Sequence, residues 1–143
     1  MSRLLSRAKV KLENAENSYK KMDIDDAYVD ECCYNLQQAI EMGLKAIVEL
    51  NGLIIAENHD LRANLNILNN NGIEIPSQQD IRRMASTLYS WETETRYRDS
   101  FTAVFEDVED ARNIAKEVLK YADNLVEESE EIIMDEIPSR KLK

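Results

Sequence analysis

His59 is the only histidine in a chain of 143 residues, and it stands inside the polar run Asn58-His59-Asp60. An imidazole changes charge near neutrality, so it can move a proton or hydrogen-bond a ligand. A second polar cluster, Arg96-Tyr97-Arg98-Asp99, supplies two guanidinium groups suited to a phosphate or a carboxylate. Both clusters fall at junctions between helices in the organisation derived below, where binding groups can sit on a rigid frame. His59, Asp60, Arg96, Tyr97 and Arg98 are therefore the candidate ligand-binding residues, expected to meet at one end of a bundle. A simpler role competes with this one: His59 and Asp60 would cap a helix, and Arg96 would pair with acidic neighbours.

Other chemistries lack their residues. Three scattered glycines cannot form a phosphate-cradling loop. A single histidine assembles no Ser-His-Asp arrangement and no pair of Glu-x-x-His motifs for a di-iron site. Cys32 and Cys33 are adjacent, so on a helix their side chains diverge by about a hundred degrees and cannot close a bridge. Zinc-ligand spacing is absent as well. No metal, no cofactor and no catalytic residue is expected, and the cysteines read as small residues at a helix contact.

The elements that must position these residues are helices. Three glycines and two prolines are too few for a turn-rich β fold, and 43% apolar with 32% charged residues suits one globular domain. Leu5, Ala8, Leu12, Ala15, Tyr19 and Met22 form the stripe of a first helix. Asp23 reads as the N-cap of a second, whose broad stripe (Val29, Cys32, Leu36, Ile40, Leu44 and Ile47) marks it as central. It closes at Asn51-Gly52. A shorter third helix carries Leu61, Leu65 and Leu68 and stops at Asn69-Asn70-Asn71-Gly72, before an extended connection over 73–76. Ser77 reads as the cap of a fourth, with Ile81, Met84, Ala85, Leu88 and Trp91 facing inward. The fifth runs along Val104, Val108, Ala111, Ala115, Val118, Ala122 and Leu125. The expected fold is all-α, an up-and-down bundle of four to five helices over residues 1–135, with 136–143 as a frayed tail.

Charge narrows the partners. A net charge of −10 opposes a general nucleic-acid-coating role, which needs a basic surface. Residues 1–21 carry six Lys/Arg against two Glu, whereas 22–60 carry one Lys against nine acids. The longest uninterrupted apolar run is Leu53-Ile54-Ile55-Ala56, so no membrane association is expected. Charge also precedes any apolar stretch long enough for a secretory signal, and the expected location is cytoplasmic.

The run from Cys33 to Ala46 contains Gln38-Ala39-Ile40-Glu41, followed by Leu44-Lys45-Ala46. It resembles the second helix of the HEPN domain family (higher eukaryote and prokaryote nucleotide-binding). Asn14-Ala15-Glu16-Asn17-Ser18-Tyr19 is similar to an upstream element of that family, His59-Asp60-Leu61 to its His-Asp-Leu element, and Arg96-Tyr97 to its Arg-Tyr element. The four landmarks keep the family order across about 10–125; Arg98 departs from it, where many members have proline. The resemblance implies a helical bundle that commonly forms a homodimer, and Ala111, Ala115 and Ala122 would permit close helix approach in one. Many members are encoded beside small nucleotidyltransferases, and some are RNA-cleaving toxins with an arginine followed, after four to six residues, by histidine. Here the positions after Arg96 hold Phe101, Thr102 and Ala103, and those after Arg98 hold Ala103, Val104 and Phe105. The toxin motif is missing. Two functions remain: a non-catalytic module that docks a nucleotide or a partner such as a nucleotidyltransferase, within a toxin–antitoxin-type pair, or a metal-independent ribonuclease with a relocated His59/Arg96 site.

Overall fold

The computed structural model describes residues 2–97 and 103–141, and of these all side chains except those of 95–97 and 132–141. Five helices follow one another: α1 (Arg3–Tyr19), α2 (Ala27–Leu50), α3 (Leu61–Asn70), α4 (Gln78–Tyr97) and α5 (Phe105–Lys141). There is no strand among the described residues. The all-α bundle expected from the apolar stripes is the fold.

Helix α2 is its axis and packs against all four others. Its breadth of apolar residues has that consequence: Leu36, Ile40, Leu44 and Ile47 are all essentially removed from solvent. Each such side chain contributes roughly 1.5–3 kcal/mol on burial. Gly43 lets α5 come close. A Cβ placed there would lie 2.8 Å from Val118 Cγ1 and 3.0 Å from Leu119 Cδ2. Ala111, Ala115 and Ala122 of α5 are fully buried within the single chain. The stripe expected to serve a dimer is therefore spent on the inside of the molecule.

Cys32 and Cys33 of α2 lie buried and unbridged. Burial pushes the Cys32 thiol up to about 12 and raises Cys33 further, so both remain protonated small apolar groups.

The ends of α1 and α5 are clamped by charge. Arg112 donates in a bidentate pair to Glu16 at 3.0 and 2.7 Å, and Nη1 also reaches Glu109. Its guanidinium lies 3.7 Å over the Tyr19 ring, and the Tyr19 hydroxyl donates to Glu109. The Arg112 hydrogen bonds hold the Glu16 carboxyl below the usual carboxylate range. The hydrogen bond from Tyr19, followed by those from Arg112, does the same for Glu109.

Two helix starts differ from expectation. Asp23 does not cap α2, because tight turns prolong α1, with Met22 N–H donating to Tyr19 O and Ile24 N–H to Lys21 O. The helix begins at Ala27, whose N–H donates to the Asp25 carboxylate at 2.8 Å. Ser77 precedes α4 but has a left-handed φ of 66°, and its hydroxyl donates to Glu117 of α5 rather than capping its own helix. Gly52 and Gly72, with φ of 72° and 76°, close α2 and α3 where the sequence places the stops.

Candidate functional site

Gln37, Glu41 and Lys45 recur every fourth residue on α2, so they fall along one side of the helix. All three are buried, with Gln38 beside them. Burying such groups is costly unless each finds a partner, and here they bond one another in series. Gln38 Nε2 donates to Gln37 Oε1 at 2.7 Å, and Gln37 Nε2 donates to Glu41 Oε1 at 2.9 Å. Lys45 Nζ donates to Glu41 Oε2 at 3.2 Å, and Glu57 lies 3.7 Å from the same ammonium. The line ends at the surface on His59, whose Nδ1 is 3.0 Å from Glu41 Oε1.

His59 is held from the backbone upward. It lies in the connection between α2 and α3, and buried Asn64 of α3 pins that connection through both backbone groups of Ala56, each at 3.0 Å. Asn58 Oδ1 accepts from Asp60 N–H at 2.8 Å and folds the chain tightly around the histidine. Asp60 then caps α3 by accepting from Arg62 N–H at 3.0 Å. The Arg62 side chain binds both Asp60 oxygens, and these hydrogen bonds hold the Asp60 carboxyl below its usual range. The imidazole is 56% exposed while the carboxylate behind it is 6% exposed. The result is a fixed ring at the mouth of a buried polar line.

Of the sequence-derived candidates, Asp60 therefore acts as a helix cap, and His59, expected to cap beside it, binds Glu41 instead. Arg96 and Tyr97 belong to the last turn of α4. Their side chains, and Arg98 entirely, lie outside the described residues, as do Asp99, Phe101 and Thr102. Glu41, Lys45 and Gln37 were not among the candidates. Their signal was present as three polar residues spaced by four along the broadly apolar middle of α2.

No group of three or more His, Cys, Asp or Glu side chains suited to a metal ion occurs among the described residues. A cleft of about 460 Å³ between α1 and α5 is lined by Lys9, Leu12, Glu16, Lys116, Leu119 and Asp123, among others, and not by His59. The chemistry-bearing residues and the roomier cleft are thus separate features.

A protein-family model, the HEPN domain, matches residues 1–131. The chain belongs to the HEPN domain family. No curated protein and no solved structure matches it significantly. The match includes the whole buried polar line and His59, so these are parts of the HEPN domain and not of an appended segment. Membership supports a nucleotide-related or ribonuclease-type module. No described helix of this HEPN domain is long and apolar enough to cross a membrane.

Proposed function

We propose that this HEPN domain is a non-catalytic binding module that docks a nucleotide or a partner protein such as a small nucleotidyltransferase, as one half of a toxin–antitoxin-type pair. One observation carries the reading: the single histidine lies upstream of Arg96, and no arginine is followed at four to six intervening residues by an imidazole. RNA cleavage needs a nucleophile activated and a leaving oxygen protonated while phosphate charge is held. Phe101, Thr102 and Ala103 offer no group that titrates near neutrality. The net charge of −10 also opposes capture of a polyanion.

The alternative, a ribonuclease built on a relocated His59/Arg96 site, has one observation in its favour. His59 is backed by a buried carboxylate, an arrangement that also orients general bases. We favour binding because a fixed ring serves recognition equally well and needs no second catalytic group. Calorimetric titration with ATP and AMP tests the reading, with saturable heat expected from the wild type and loss of it in His59→Ala. Absence of binding to either nucleotide, together with no stable complex with a nucleotidyltransferase encoded beside it, would contradict it.

The module is proposed to work as a homodimer. Its contact surface must lie elsewhere than Ala111, Ala115 and Ala122, which are internal. Light scattering should return twice the 16.5 kDa chain mass, and a single-chain mass over a wide concentration range would refute the dimer.

A further inference from the structure

Glu41 Oε1 lies within hydrogen-bond distance of both Gln37 Nε2 and His59 Nδ1, while Oε2 receives Lys45. A carboxylate paired with an ammonium only accepts hydrogen bonds. Its partner on the imidazole must therefore donate. We infer that Glu41 is a positioning residue that keeps a proton on His59 Nδ1 and so presents Nε2 as an outward acceptor for an amino or hydroxyl group of a nucleotide.

Three observations support the assignment. Asn64, Asn58 and Asp60 fix the chain on either side of His59, which keeps the imidazole within reach of Glu41, with Nδ1 3.0 Å from Oε1. Glu41 cannot swing away, because Gln37 and Lys45 hold its two oxygens from neighbouring turns of α2. Nε2 makes no hydrogen bond among the described residues, and the ring is more than half exposed. The surroundings also select the ligand group. Lys45 is engaged by Glu41 and Glu57, and Arg62 by Asp60, so the nearby cations are already matched to carboxylates. A phosphate would meet those acids, whereas a neutral N–H or O–H donor would not. In an unconstrained neutral imidazole the proton favours Nε2, so the opposite tautomer is a signature of the buried carboxylate.

The inference rests on the nucleotide-binding reading for its ligand and on the geometry alone for its tautomer. Because His59 is the only histidine, two-bond nitrogen–proton correlation on the full ¹⁵N-labelled chain gives one set of ring signals. On the neutral plateau of a pH series, Nδ1 should resonate as the protonated nitrogen and Nε2 as the bare one. In Glu41→Gln, whose amide can turn either face to the ring, the preference should fall toward the Nε2–H form. A wild-type ring with its proton on Nε2 would overturn the inference, even if Glu41→Gln fails to fold. So would a folded Glu41→Gln chain with an unchanged tautomer.

AMP added to the wild type should then shift the Nε2 signal. AMP bound without a shift at Nε2 would overturn the ligand contact. An Nδ1–H tautomer in a chain that binds no nucleotide would refute the nucleotide-docking form of the functional reading and leave Glu41's positioning role standing.

Discussion

At the scale of single residues, the chain spends its polar groups in two different ways. Glu41 and Lys45 are buried partners, so removing one strands the other away from water. Glu41→Ala should cost about 3 kcal/mol in urea unfolding, the lower end of what breaking a buried pair costs, because Glu57 can still approach Lys45. The half-exposed Arg62–Asp60 pair should cost far less in the same experiment with Arg62→Ala, because solvent screens its charges. The Arg112 clamp adds a pH dependence. Glu16 and Glu109 have folded-state pKa values below their unfolded ones. Their contribution is thus complete above the ordinary glutamate range near about 4.3 and is lost as pH falls through the lower folded values. Arg112→Gln should flatten the decline of stability between pH 5 and pH 3, roughly the window in which paired carboxylates protonate. An unchanged slope would show that other carboxylates control the acid limb. The polar ladder itself was legible as spacing, but spacing alone does not say whether Gln37, Glu41 and Lys45 face solvent or the interior. That depends on which neighbours cover α2 on that side.

At the scale of elements, the apolar stripes located all five helices because each stripe has one face to bury and a 3.6-residue period reads it directly. Helix ends were harder. Gly52 and Gly72 marked their stops because a left-handed φ favours glycine. Asp23 and Ser77 failed as caps because their surroundings, the turns after Tyr19 and Glu117 on α5, outcompeted local capping. Gly43 shows the same dependence on tertiary context. Alanine normally improves a helix over glycine by about 1 kcal/mol. Here the new methyl would press on Val118, whose branched side chain has little rotamer freedom. Overpacking costs typically about 1–3 kcal/mol, so Gly43→Ala should be net destabilising by about 1 kcal/mol in thermal or urea unfolding. A gain in stability would mean that α2 and α5 separate more easily than their packing indicates.

At the scale of the whole molecule, a helical frame holds one exposed imidazole on a buried polar line, and a separate cleft runs between α1 and α5. The fold was legible in the sequence because it depends on periodicity summed over many residues. Half of the candidate site was legible because His59 is unique and sits at a junction, while its partner Glu41, eighteen residues earlier, is joined to it only by the return of the chain from α2 to α3. The central claim is that this HEPN domain binds without cutting. Its most direct test is incubation of the purified full chain with single-stranded and structured RNA, beside His59→Ala and Arg96→Ala. The account predicts intact RNA with all three proteins. Cleavage by the wild type that disappears in both variants would contradict it and establish His59 and Arg96 as a nuclease site.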